Sequence, residues 1–245
     1  MNALIKSISG FVFTLSISFI CMSNVVAQQP EDLKLVPGNA VLAVHMDLAK
    51  LWQSESMKDM RELLNKAGPK ALIELEKRFV PDPTTVETVT GFVMFPKNPG
   101  SPPEFAFLIS LKKPVKEKAL FLSAMPDGET IKKDGINMVV KDGIGLILMN
   151  QGKLIAVGAP SLLPTLGKNT APAKGDFARF LKGNAAGLIN AAINFEPIPK
   201  EFFAIAPPPF NSLVNGIQYM EAGIAVEKTI RLSTTITYEK EDQAK

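Results

Sequence analysis

The sequence predicts an α+β protein, a largely antiparallel sheet with helices on one face, built from two β-α-β-β units. Three observations carry this reading. Apolar residues alternate with period two on either side of stretches where they recur every three or four residues. Asp134-Gly135 and Asp142-Gly143 are tight-turn dipeptides one short strand apart, the pattern of a meander. Gly-Asn-Ala followed by an apolar run is written twice, as GNAVLAVHMDL at 38–48 and GNAAGLINAAI at 183–193. The two related halves would be residues 36–166 and 176–239. Little after Gly-Asn-Ala matches, so two unrelated strands that share a turn are the competing account.

Each element has a local reason. Residues 28–35, QQPEDLKL, read as a solvated lead-in, and Val36-Pro37-Gly38 turns into a strand from Ala40 to Met46. Leu42, Val44 and Met46 share one face of that strand, and Val41, Ala43 and His45 share the other. Asp47 is placed to cap the next helix, accepting amide protons otherwise left bare. Leu48, Leu51 and Trp52, then Met57, Met60, Leu63, Leu64 and Ala67, predict amphipathic helix. Gly68 stops it and Pro69 opens a second, with Leu72, Leu75 and Phe79 as its stripe. Strands at 86–95 and 104–111 flank PKNPGSPP, whose four prolines and one glycine demand a loop. A short helix after Pro114 precedes strands near 129–133, 136–141, 144–149 and 153–157. A helix from Pro160 to about Leu166, a linker at 167–176 and a helix near 177–182 lead to the second Gly-Asn-Ala strand, which runs through Phe195. A helical or irregular stretch at 199–219 and strands at 222–227 and 229–238 close the chain, before a charged tail.

Residues 1–27 read as a secretory signal peptide. Lys6 supplies the charged start, FVFTLSISFICM the apolar run, and Val25-Val26-Ala27 the cut before Gln28. A retained anchor is the alternative, but the run falls short of the roughly 20 apolar residues that a span needs. Residues 28–245 then form the mature domain, without a membrane span. The chain's one cysteine, Cys21, leaves with the leader, so stability rests on a packed core without disulfides. With 27 basic and 24 acidic residues the balance is too even to imply a nucleic-acid partner.

The residues offer little chemistry. His45 is the only histidine and has Asp47 two positions on, but one histidine without cysteine cannot build a His/Cys zinc site. It reads as a strand histidine at a sheet surface. Ser110-Leu111-Lys112-Lys113 matches S-x-x-K, yet Ser110 ends a strand and Pro114 follows, so serine and lysine would diverge. Gly167-Lys168 lacks the upstream glycine of a phosphate loop. Glu55, Asp59 and Glu62 alternate with Lys58 and Arg61, which reads as a solvated helix surface. Lys112, Lys113, Lys116 and Lys118 lack the aromatic residues of a nucleic-acid surface. No catalytic residue, metal or cofactor is expected. The suggestive stretch is EPIPKEFFAIAPPPF at 196–210, in which five prolines stiffen a segment carrying Phe202, Phe203 and Phe210. These rings would either contact a partner or fold inward over the sheet.

VPGNAVLAVHMDLAKLWQSESMKDMRELL, residues 36–64, resembles the opening of exported bacterial proteins of unknown function that are abundant in planctomycetes. Val36, Pro37, Ala40, Asp47, Leu51 and Trp52 carry the likeness. The resemblance implies export and the β-α-β-β plan, and brings no activity with it. Two functions remain open. One is a non-enzymatic binding or structural module of the periplasm or envelope, contacting an envelope protein or another ligand. The other is a secreted hydrolase whose site gathers His45 or Ser110 with carboxylates from distant segments.

Overall fold

A computed structural model describes residues 32–78, 81, 83–96, 101–168, 188–199, 201, 216–226 and 230–239. Its centre is an antiparallel sheet of ten strands: β1 Ala40–Asp47, β2 Val86–Met94, β3 Glu104–Leu111, β4 Glu129–Lys133, β5 Ile136–Lys141, β6 Ile144–Met149, β7 Leu154–Gly158, β8 Ile189–Asn194, β9 Ile217–Val226 and β10 Ile230–Tyr238. The strand order is β10-β9-β8-β1-β2-β3-β7-β6-β5-β4. The helices are α1 Leu48–Gln53, α2 Lys58–Arg78, α3 Glu117–Ala124 and α4 Leu163–Gly167. The α+β class and the antiparallel sheet are those the sequence predicts.

Local chemistry sets the boundaries. Asp134 and Asp142 take φ of 53° and 51°, followed by Gly135 and Gly143 at 85° and 78°, so both Asp-Gly pairs turn with two positive φ angles. That twist suits two-residue hairpins, and Lys133 pairs with Ile136, Lys141 with Ile144. Asp47 caps α1 through a 2.8 Å hydrogen bond donated by the Lys50 amide. Gly68, at φ 80° and ψ 172°, interrupts α2 where the sequence predicts a break.

Register then decides which residues share a face, because directly opposed residues project to the same side. Ala43, Phe92 and Ala106 stand in one row, and Leu108, Ala156 and Ile147 in the next. These pack with Leu33, Leu35 and Val36 and with Leu163 and Leu166 of α4. The opposite face holds a second cluster, in which Leu120 and Phe121 of α3 cover Leu111, Leu146 and Ile155. Away from α3 that face opens. Leu42, Val44 and Met46 are half-buried, while Phe105 and Phe107 are exposed.

Three expectations need correction. The helices do not keep to one face, since α4 packs with Leu108 and Ile147 while α3 covers Leu146 and Ile155 on the opposite side. The lead-in is not solvated over its last residues: Asp32, Leu33 and Leu35 are buried, because a single turn of 3-10 helix lays both leucines against the sheet. The stripe of Met60 and Leu63 forms on a helix but is not covered, with the two side chains 49% and 65% exposed. The linker at 167–176 beyond Lys168, the helix near 177–182, Gly183-Asn184-Ala185 and the tail beyond Glu239 lie outside the described residues.

Candidate functional site

The polar residues that the sequence spreads over sixty positions converge on one side of the sheet. His45 on β1 lies directly opposite Thr90 on β2, and opposite Asn190 on β8. Thr88 shares the Thr90 face, two residues along the same strand. Above them the turn at Leu33–Leu35 lowers Asp32, which is fully buried. His45 is 6% exposed and Thr90 is fully buried. The reading of His45 as a surface histidine is therefore wrong. Its ring is under the N-terminal turn.

The hydrogen bonds run in one direction. Thr88 and Thr90 each donate their hydroxyl proton to Asp32 Oδ2, at 2.8 and 2.7 Å. Thr90 Oγ1 has spent its proton, so at its 2.7 Å contact with His45 Nδ1 it accepts and the nitrogen donates. The network assigns the proton to Nδ1. His45 Nδ1 also lies 3.5 Å from Asp32 Oδ2, an ion pair when the ring is charged. Burial raises the carboxyl's affinity for a proton. Hydrogen bonds from His45, Thr90 and Thr88, with the charge of His45, outweigh it and hold Asp32 below the usual carboxylate value. One oxygen bears all of this. Among the described residues the buried Oδ1 of Asp32 has no hydrogen-bond partner.

This arrangement ties the N-terminal turn at Asp32 to β1 and β2. A general base needs its nitrogen within hydrogen-bond reach of a reacting proton. With the proton on Nδ1, the basic nitrogen is Nε2, and the ring that carries it is only 6% exposed. Ser110 faces the same side but opposes Thr88, with β2 standing between its strand and that of His45. Asp47 serves α1 as its cap. A cavity of about 300 Å³ lies elsewhere, between Leu35, Glu117, Asn137, Met149 and Leu166, and neither His45 nor Ser110 lines it. Among the described residues no group of three or more histidine, cysteine, aspartate or glutamate side chains is placed to hold a metal ion.

The sheet's other side offers a surface. Phe105 and Phe107 project from β3 with ring centroids 5.9 Å apart at 65°, an edge-to-face pair, and are 38% and 46% exposed. Phe107 lies over Gly91, whose missing side chain gives the ring its place. Around them Leu42, Val44, Val89 and Val93 extend the apolar surface. Phe202, Phe203 and Phe210, the rings singled out from the sequence, lie outside the described residues. The alternation of Phe105 and Phe107 with Ala106 and Leu108 was the available signal for the exposed pair. It was hidden because every residue of that run is apolar.

Among the described residues no helix is long and apolar enough to cross a membrane. No protein-family model and no curated protein matches the chain. Among solved structures it is similar to crystal form I of TP0453, with a TM-score of 0.48 and 15% identity over 86% of this chain and 80% of that one. Crystal form IV of TP0453 gives a TM-score of 0.47 and 12% identity over 87% and 83% of the two chains.

Proposed function

We propose that this chain is an exported, non-enzymatic binding module of the bacterial periplasm or envelope, and that it contacts a protein partner through the open apolar face of β1, β2 and β3. The observation that carries the reading is the exposed Phe105–Phe107 pair at the centre of a sheet face. Aromatic side chains held by a rigid strand lose little freedom on binding, and aromatic residues are enriched at the buried cores of protein interfaces. The covered histidine supports the same reading, since the chain's only imidazole is occupied in holding Asp32. Export rests on the leader at residues 1–27 and on the resemblance of residues 36–64 to exported bacterial proteins.

The test is capture of envelope proteins on the immobilised chain, comparing wild type with Phe105→Ser/Phe107→Ser. The rings are 38% and 46% exposed, so the double variant should lose about 2–3 kcal/mol in urea unfolding and keep its far-UV circular dichroism spectrum. It should lose a specific captured protein by roughly tenfold or more, the scale of removing an aromatic anchor. Capture of an identical set by both forms removes this face from the function.

A further inference from the structure

The two edges of the sheet are built differently. β4 is five residues long, and Glu129, Lys132 and Lys133 are exposed along it. A short, charged edge strand discourages pairing with another chain. β10 is nine residues long, IRLSTTITY, with no proline and Arg231 as its only charge. Leu232 is 69% and Ile236 43% exposed. Among the described residues β10 pairs with β9 and with no other strand. Alternate residues of such an edge turn their amide and carbonyl groups outward, a template for one more strand.

We propose that β10 is a self-association edge: two copies of this chain pair their β10 strands antiparallel about a twofold axis through Thr234, joining their sheets into one. A second copy is the fitting occupant because this strand is complementary to itself. Thr234 is the middle residue of Ile230–Tyr238. Pairing about it sets Leu232 of each copy against Ile236 of the other, Thr234 against Thr234, and Arg231 against Thr237. Apolar residues meet apolar residues, and no like charges face each other. Centring the pair on Ser233 sets Leu232 against Thr234, and centring it on Thr235 sets Ile236 against Thr234, so only the Thr234 register joins Leu232 to Ile236. The register Ile236–Met220–Ile193–Leu42–Val93–Phe105 also places β10's apolar residues on the face that carries the phenylalanine pair. Dimerisation through β10 makes that face continuous across two copies. The edge argument does not depend on the phenylalanines' having a partner.

The test uses the full chain with Cys21→Ser, which removes its only thiol. Adding Thr234→Cys should give a disulfide dimer on mild oxidation. Directly opposed residues have Cα atoms about 4.5–5.5 Å apart, inside the roughly 4.4–6.8 Å that a disulfide spans. Leu232→Cys and Ile236→Cys should each cross-link poorly alone and readily when the two variants are mixed. The chain without added cysteine should sediment as a dimer, and Leu232→Lys/Ile236→Lys as a monomer with an unchanged far-UV circular dichroism spectrum. A monomeric mass for the chain without the lysines overturns the proposal. So does cross-linking of Thr234→Cys no faster than Lys132→Cys on the charged edge, the result that non-specific aggregation would give.

Discussion

Replacing Asp32 with asparagine isolates what holds the N-terminal turn to the sheet. The substitution keeps the shape and one acceptor oxygen but removes the charge from a fully buried site. Two hydroxyl hydrogen bonds, from Thr88 and Thr90, then fall from charge-assisted to neutral. Hydrogen bonds to a charged group contribute about 1.5–3 kcal/mol and neutral ones about 0.5–1.5 kcal/mol, so two bonds lose about 2 kcal/mol. Relief of the carboxylate's desolvation offsets part of this, and loss of the His45 interaction at 3.5 Å adds to it. Asp32→Ala, which strands both hydroxyls and the imidazole, should cost about 3–5 kcal/mol. Urea unfolding followed by far-UV circular dichroism reads both changes. With a slope near 2 kcal/mol/M, the asparagine variant should shift the midpoint by about 1 M. The acid limb supplies a second measurement. Asp32 has a lowered folded-state pKa, so its contribution is complete above the ordinary carboxyl value of 3.8 and is lost as pH falls through the lower folded value. Wild type should therefore converge on Asp32→Asn as pH falls below about 4. Equal midpoints at neutral pH, or a constant gap between the two proteins down to pH 2, would refute the assignment of an ionised Asp32.

Two glycines make a contrast that tests the packing of β3. A Cβ on Gly158 would stand 2.2 Å from the Phe105 carbonyl oxygen and 2.6 Å from Ala106 Cα, both backbone, so Gly158→Ala should destabilise by about 2–3 kcal/mol or more in urea unfolding. A Cβ on Gly91 would meet only the ring of exposed Phe107, at 2.8 Å, so Gly91→Ala should cost under about 1 kcal/mol and turn the ring aside. In the core, Leu108→Ala should lose about 2–5 kcal/mol at a fully buried site, against less than about 0.5 kcal/mol for Leu63→Ala on exposed α2. Equal costs at Leu108 and Leu63 would mean that Leu108 is not a core position.

What the sequence made legible is local. Asp-Gly pairs specify positive φ within two residues, and the meander from Glu129 to Gly158 follows the predicted strands to within a residue. Asp47 needs only the amide of Lys50 to act as a cap. The buried network was not legible, because Thr90 and Asp32 are 58 positions apart and nothing in their neighbours announces the other. A faint signal did exist. Thr88 and Thr90 put two hydroxyls on the side of β2 that carries Phe92 and Met94, core positions where a polar residue needs a partner. The helical period of Met60 and Leu63 correctly implies a helix, but periodicity cannot say whether anything covers the stripe. For the same reason, FAFLISL at 105–111 predicts a strand without saying which of its faces is open.

The placement of β1 between β2 and β8 has a consequence for how this protein reaches its native state. The meander and the β2–β3 hairpin can close from neighbouring pieces as soon as they emerge. β1 cannot, because one row of its amides stays bare until residues 189–194 arrive. While the chain is made from its N-terminus, that seam is where a stray strand can intrude, and long-range closure of this kind is slow. An edge strand until β8 docks, β1 ends as an interior strand of the finished sheet.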